Sequence, residues 1–386
     1  MIRSWLRLPL RPAFCLVVLA SLGLAPACAD DGTVETIGGR AGAAGQSTGV
    51  GGAAGGGSGA GGASAGSAGS GGTAGSAGAS GKAGGAGAAG GAGAAGAGAA
   101  GGAGKAGPLR IANLNVQNLF NDVIDSPGAL DEASSTPTTA QYQAKLAAIA
   151  SILGMTGADI IALQEVENDV TLAALAARSE LKKTYPHKVL LPGNDPRGID
   201  VALLSTVPVK SAISHKDDYF AGSTSAGKKY KYSRDCLEVH LDLASGELVL
   251  LVVHFKAKVD DDPTKRLAEA EHTRGIADAI VAKNPAARVV ILGDYNDFPG
   301  TPPITAIEGA APQLYPSTAS KLGATNAWTV EFNGQKLLHD DQHTNPALTA
   351  LLDGASVTIL HDTDLPSKAL QDATDHAPVV ATYLFP

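Results

Sequence analysis

Three acidic residues stand at the ends of apolar runs, where an ionised carboxylate is costly unless a cation or a strong donor meets it. They are Glu165 in Ala162-Leu163-Gln164-Glu165, Asp294 in Ile291-Leu292-Gly293-Asp294, and Asp375 ahead of Ala377-Pro378-Val379. One such acid reads as a strand end meeting solvent. Three, accompanied by Asn115, Asn296, His254 and His376, read as a site. Carboxylate and amide oxygens in a chain with only 3 cysteines suit Mg²⁺ or Mn²⁺, with Ca²⁺ as a further option, rather than structural zinc. Histidine gains or loses a proton near neutral pH, so the same set is equipped for acid–base chemistry.

The elements that must hold these residues alternate between strand and helix patterns. Leu109–Val116, Asp159–Leu163, Val201–Leu204, Cys236–Leu243, Leu248–Phe255, Arg288–Leu292 and Pro378–Phe385 have strand character, and Tyr142–Leu153 and Thr264–Lys283 have helical spacing. This order predicts an α/β (α+β) sandwich of packed mixed sheets flanked by helices. Each candidate residue then falls where a strand passes into a loop.

The rest of the chain bounds how much can fold. Of 49 glycines, 32 lie between Gly38 and Gly107, in a Gly/Ala/Ser tract that has too little apolar area to offset backbone entropy. Residues 38–107 are therefore expected to be a flexible tether, and residues 108–386 a single catalytic domain. The domain carries 23 basic and 34 acidic residues, a net charge of -11. That balance argues against sequence-independent wrapping of duplex nucleic acid and suits a cation site.

At the start, Arg3, Arg7 and Arg11 precede the apolar run Ala13–Leu24, the order of a secretory signal over residues 1–27. Leu24-Ala25-Pro26-Ala27-Cys28 resembles a bacterial lipobox, although Pro26 occupies a position where a small residue is usual. Lipidation at Cys28, with residues 28–37 as the mature N-terminus, would place the protein in the outer membrane or at the cell surface; cleavage without lipid would release it. Cys15 leaves with the signal, so the domain keeps Cys236 alone and no bridge can form within it. Its alternating surroundings read as a half-buried strand.

Taken together, the motifs LNVQNLF, LQEVEN, RGIDVALLS, HFK, GDYNDFP and TDHAPV resemble, in type and order, those of the endonuclease/exonuclease/phosphatase superfamily. The resemblance runs from about Leu109 to Phe385 and implies a deoxyribonuclease-like fold and a metal-dependent phosphoesterase. Carried over by motif, it implies that Glu165 and Asp375 hold the metal, with Asn115 beside them. His376 would contact the scissile phosphate, and Asp294 and Asn296 would orient the attacking water and a phosphate oxygen. His254 matches a second phosphate-site histidine. Asp340 fits the acid that orients the last histidine, with the adjacent Asp341 as the alternative. Arg234 resembles a substrate-phosphate arginine, and Asp200 is a candidate for orienting a histidine.

Within that superfamily the motif set is most similar to the extracellular nuclease branch, which makes nucleic acid the expected substrate of a monomer. A phospholipid-headgroup phosphodiesterase or phosphatase is the alternative, and a surface protein that binds without catalysis is a third reading. The sole compact basic cluster, Lys228-Lys229-Tyr230-Lys231, is a candidate phosphate contact.

Overall fold

The computed structural model describes residues 107–125, 136–366 and 369–386. The expected signal sequence, Cys28 and the Gly-rich tract before Gly107 lie outside the described residues. In chain order the strands are β1 (Pro108–Leu119), β2 (Ile160–Val166), β3 (His187–Leu190), β4 (Asp200–Ser205), β5 (Val209–Ser214), β6 (Cys236–Leu243), β7 (Gly246–His254), β8 (Arg288–Asp294), β9 (Val330–Phe332), β10 (Gln335–Leu337), β11 (Asp340–Thr344), β12 (Leu352–Ile359) and β13 (Val379–Leu384). The α-helices are α1 (Thr139–Thr156), α2 (Asp169–Ala176), α3 (Pro263–Lys283), α4 (Pro302–Glu308) and α5 (Pro346–Thr349).

Two mixed sheets form the body, a six-stranded one ordered β12-β13-β1-β2-β4-β3 and a five-stranded one ordered β11-β8-β7-β6-β5. Each has one parallel pair, β1 with β2 and β7 with β8, and the other pairs are antiparallel. Strand alternation divides the apolar residues between layers. In β7, Leu248, Leu250 and Val252 pack between the sheets with Ile111, Ile160, Leu203 and Val290. Val249, Leu251 and Val253 face outward onto α3 and α4 through Ala268, Ala277 and Ile304. The other sheet is covered by Leu146, Ile149 and Leu153 of α1 and Leu172 and Leu175 of α2. Burial on both faces explains why β7 and β8 read as unbroken apolar runs. The expected sandwich with flanking helices is the observed fold.

Local signals set the helix ends. Thr138 caps α1 through a box with Gln141, and Gly157 closes the helix in the left-handed region at φ 59°. Asp262 accepts the Lys265 N–H at the start of α3, where Pro263 occupies the first turn. Cys236 is fully buried rather than half-buried, because α3 covers the outer face of β6, and burial pushes its thiol well above 9.0.

Candidate active site

The parallel pairs β1/β2 and β7/β8 end at the same edge of the sandwich, so their following residues converge. His254 at the end of β7 is in register with Asp294 at the end of β8, and Asp294 is also paired with Asp340 at the start of antiparallel β11. Close approach of β7 and β8 here requires Gly293. Its φ is +147°, and a Cβ would lie 1.9 Å from the Val253 carbonyl oxygen.

Asn115 links the two sheets. Its amide Nδ2 donates to Glu165 Oε1 at 3.1 Å and to Asp294 Oδ2 at 3.0 Å. Its Oδ1 accepts the Gln117 N–H at 2.9 Å, and Glu165 Oε2 accepts the Asn118 N–H at 2.7 Å. Glu165 has φ 66°, Gln117 and Asn118 each 51°, and Asn296 50°, so four non-glycine residues of this cleft occupy the left-handed region. Register shifts on both sides of β2 fall at the same place, between Asn115 and Leu119 and between Leu163 and Val166. Such bulges and strained conformations re-aim side chains and cluster where a site over-determines them.

On the other side of Asp294, Asp340 Oδ2 meets His376 Nδ1 at 2.6 Å. His376 Nε2 lies 3.9 Å from Asp294 Oδ2 and 3.8 Å from Asp375 Oδ1. Thr374 anchors this loop by donating to the Asn115 carbonyl at 2.7 Å and accepting the His376 N–H. Asp341 points elsewhere: it accepts from Ser317, Thr318 and the Ala319 N–H. Of the two adjacent acids, Asp340 is the one at the histidine.

Burial opposes charge on His376, but Asp340, Asp294 and Asp375 outweigh it and lift the imidazole well above 6.5. Burial and the nearby Asp340 raise Asp294, while His376 works in the opposite direction. His254 has the opposite balance, because burial together with Arg234, Arg197 and His376 holds it well below 6.5. The two imidazoles of the cleft are therefore pushed in opposite directions. His254 Nε2 is 3.6 Å from Asp294 Oδ2 and 3.8 Å from Glu165 Oε1, whereas its buried Nδ1 has no hydrogen-bond partner.

Other candidates are placed less centrally. Asn296 donates its backbone N–H to Asp294 Oδ1 at 2.7 Å and its amide to the Phe255 carbonyl at 3.1 Å. Arg234 is buried beside His254, ion-paired to Asp195 at 2.7 Å and bonded to the Phe255 carbonyl. Asp375 is 63% exposed at the rim. Asp200 does not orient a histidine: it accepts the Gly193 N–H at 2.6 Å, and burial pushes it up to about 7. In the basic cluster, Lys228 pairs with Asp262 and Lys231 with Asp217, so two of its cations are engaged.

Three residues near the cleft carried no signal read from sequence. Lys145 looks like the polar flank of a helix, yet its ammonium group reaches the Gln117 carbonyl. Arg197 binds Asp195 and approaches Asn118 Oδ1 at 3.4 Å. His339 precedes Asp340, with a buried, unpartnered Nε2 and a pKa lowered to about 4 chiefly by burial. Its neighbour motif was the available clue.

The donor set fits a divalent cation. Glu165, Asp294, Asp340 and Asp375 bring four carboxylates to one edge, and Asp340 Oδ1 is buried without a hydrogen-bond partner. Among the described residues, Asp294, Asp340 and His376 form the group whose ligand atoms all lie within 4.8 Å of one another. The four carboxylates supply the hard oxygen donors that a divalent cation of this class takes.

Two mixed sheets between helices, with acids, amides and histidines gathered where the parallel strands end, define a phosphoesterase fold. A model of the Endonuclease/Exonuclease/phosphatase family matches residues 110–322, more than half of the chain, and the chain belongs to that family, whose members are metal-using phosphoesterases. Among solved structures, truncated TDP2 from Caenorhabditis elegans is similar, with 18% identity, a TM-score of 0.50, and coverage of 72% of this chain and 98% of that one. The human Nocturnin catalytic domain with bound sulfate anion gives 16% identity, a TM-score of 0.50, and coverage of 72% and 95%. No curated protein sequence matches the chain.

Proposed function

We propose that this protein is an exported, surface-tethered or secreted nuclease that hydrolyses phosphodiesters with a divalent metal. The observation that carries the reading is the Asn115 amide, which ties Glu165 to Asp294 at a cleft also occupied by the Asp340–His376 pair. Glu165, Asp375 and Asn115 would hold the cation. When bound, it would polarise the phosphate and stabilise the charge on the departing oxygen.

The remaining roles follow from the side chains. Asp294 has one oxygen held by the Asn296 N–H, and burial favours its uptake of a proton, so it orients water and accepts that proton. His376, held at Nδ1 by Asp340, presents Nε2–H to a phosphate oxygen. His254 stays neutral and can donate one hydrogen bond without adding charge. Arg234 lends positive potential from behind His254 rather than direct contact, since Asp195 and the Phe255 carbonyl engage its guanidinium.

The signal sequence and Cys28 support export and a lipid anchor, with the Gly-rich tract as tether. Among the described residues no helix is long and apolar enough to cross a membrane. To test the substrate class, the purified chain is incubated with plasmid DNA, RNA and sphingomyelin vesicles in Mg²⁺, Mn²⁺, Ca²⁺ or EDTA. Metal-dependent cleavage of nucleic acid is expected. Turnover of the lipid alone would move the protein to the headgroup phosphodiesterases, and silence on all three would favour a binding role.

A further inference from the structure

Beside the cleft lies a cavity of about 470 Å³, a size that holds a small organic ligand. Its walls continue from the site. Phe298 follows Asp294 on one loop, Leu338 precedes His339 and Asp340, and the Tyr295 N–H donates to the His339 carbonyl at 2.9 Å, which fastens these two segments together. Pro299 and Leu322 add apolar wall, and Phe298 is 36% exposed. The charged residues of the cavity are Lys336, whose ammonium group lies 4.1 Å from the centroid of the Trp328 ring, and Glu308.

Glu308 lacks a donor. Among the described residues nothing donates a hydrogen bond to its carboxylate, and His343 Nε2, which faces it at 4.0 Å, is buried and unpartnered. That nitrogen cannot serve. The Tyr295 hydroxyl donates to the Ile291 carbonyl at 2.8 Å, so it accepts from His343 Nδ1 at 3.0 Å and leaves Nε2 as an acceptor. Burial favours this neutral form of the ring. Two acceptors thus face each other with no proton between them, and an apolar cavity with a bare acceptor in its wall suits a flat group that carries an N–H donor.

We propose that this cavity receives a nucleobase next to the scissile phosphate, packed against Phe298 and Leu322 and read by Glu308 through an exocyclic amino group, so that the protein acts on single-stranded nucleic acid and prefers amino-bearing bases to uracil or thymine. The inference rests on the nuclease reading given under Proposed function. A base must leave its stack to enter such a cavity, and a single strand allows that most easily. A carboxylate accepts from the amino group of cytosine, but at the same place uracil offers a carbonyl oxygen, which would leave Glu308 buried against another acceptor. Recognition one base at a time also fits a domain of net charge -11, which is ill suited to wrapping duplex.

The test is kcat/KM of the purified full chain, with Mg²⁺ or Mn²⁺, on oligo(dC), on oligo(dU), whose base differs at that one exocyclic group, and on oligo(dC) annealed to its complement. Wild type should favour oligo(dC) over oligo(dU) by about tenfold, and over the duplex. Glu308→Ala should cut the two single strands alike. In Glu308→Gln, whose amide can donate to the uracil oxygen, the ratio should fall to one or below. The ratio decides because a weakened fold lowers both rates together, and if Glu308→Ala fails to fold, Glu308→Gln stands in for it. Equal wild-type rates on the two single strands, a duplex cut as fast as its single strand, or a preference that survives in the folded variants would overturn the inference and leave the nuclease reading in place. Failure of wild type to cleave any strand would instead overturn the nuclease reading and the inference with it.

Discussion

Two assemblies of histidines and carboxylates among the described residues differ in what is left over. At the periphery, Glu247, His240, Glu238, His215, Asp218 and His272 alternate in an unbroken chain across β7, β6, the segment after β5, and α3. Both ring nitrogens of His215 and of His240 have a carboxylate partner. In the cleft, by contrast, His254 Nδ1, His339 Nε2 and Asp340 Oδ1 are buried and unpartnered. Buried polar groups are normally satisfied, so three such atoms in one cleft leave capacity there for a ligand. The same residue types serve cohesion in one region and chemistry in the other.

Electrostatics separates them in the same way. In the peripheral chain each partner favours the other's charge: Glu238 is lowered to about 2 against burial by His215 and His240, and both histidines are raised. In the cleft the shifts conflict, with Asp294 raised, His254 depressed and His376 elevated within one small space. Perturbations of opposite sense are the arrangement that divides acid and base roles.

Breaking the cleft should cost activity without costing the fold. His376→Ala is expected to lower kcat by about 10²–10³-fold, the range for a lost donor to the charge developing on a phosphate oxygen, with an unchanged far-ultraviolet circular dichroism spectrum. Wild-type turnover in this variant would remove His376 from the reaction. Asp340→Asn should have a smaller effect, about 10–100-fold, because it acts through the imidazole. It also removes the largest influence raising His376, so the alkaline limb of the kcat/KM–pH profile should move to lower pH. An unmoved limb would mean that Asp340 is structural only.

Breaking the peripheral chain should do the reverse. His215→Asn is expected to cost about 1–3 kcal/mol in urea unfolding at pH 6, the scale of hydrogen bonds to charged groups, with kcat near wild type. The pH dependence has a definite sign. Because His215 is raised above 6.5, its contribution is complete below that pH and disappears as pH rises through its folded value. Glu238, depressed from 4.5 to about 2, contributes fully above 4.5 and is lost as pH falls toward 2. The stability gap between wild type and His215→Asn should therefore be widest between pH 4.5 and 6.5 and shrink toward pH 9; a constant gap would assign it to packing instead.

How much of this could be read from the chain differs between the same regions. Glu165, Asp294, Asn115, His254 and His376 were legible because each closes, follows or immediately precedes an apolar strand. The strand β11 was not. Asp340-Asp341-Gln342-His343-Thr344 is wholly polar and reads as loop, yet every residue of it is buried. Its partners come from afar: Ser317 and Thr318 for Asp341, Ile111 and Tyr383 for Gln342, and Tyr295 for His343. Only tertiary contact satisfies such a strand, so no local pattern could announce it. Left-handed Glu165 was hidden for a similar reason, since residue type gives no hint that bulges on both sides of β2 turn its carboxylate into the cleft. Lys145 sat in a recognised helix, but its target lies in a turn 28 residues earlier.

On the proposed reading, the edge where the two sheets meet is a metal-dependent phosphodiesterase site. Its most direct test is the initial rate of hydrolysis of a simple bis-aryl phosphodiester by the purified chain, with Mg²⁺ or Mn²⁺ and then with excess EDTA, for wild type and Glu165→Ala. Wild type should show turnover that EDTA abolishes and fresh metal restores, and Glu165→Ala at least about 10²-fold less at matched folding. Turnover that survives EDTA, or that Glu165→Ala retains in full, would contradict that reading.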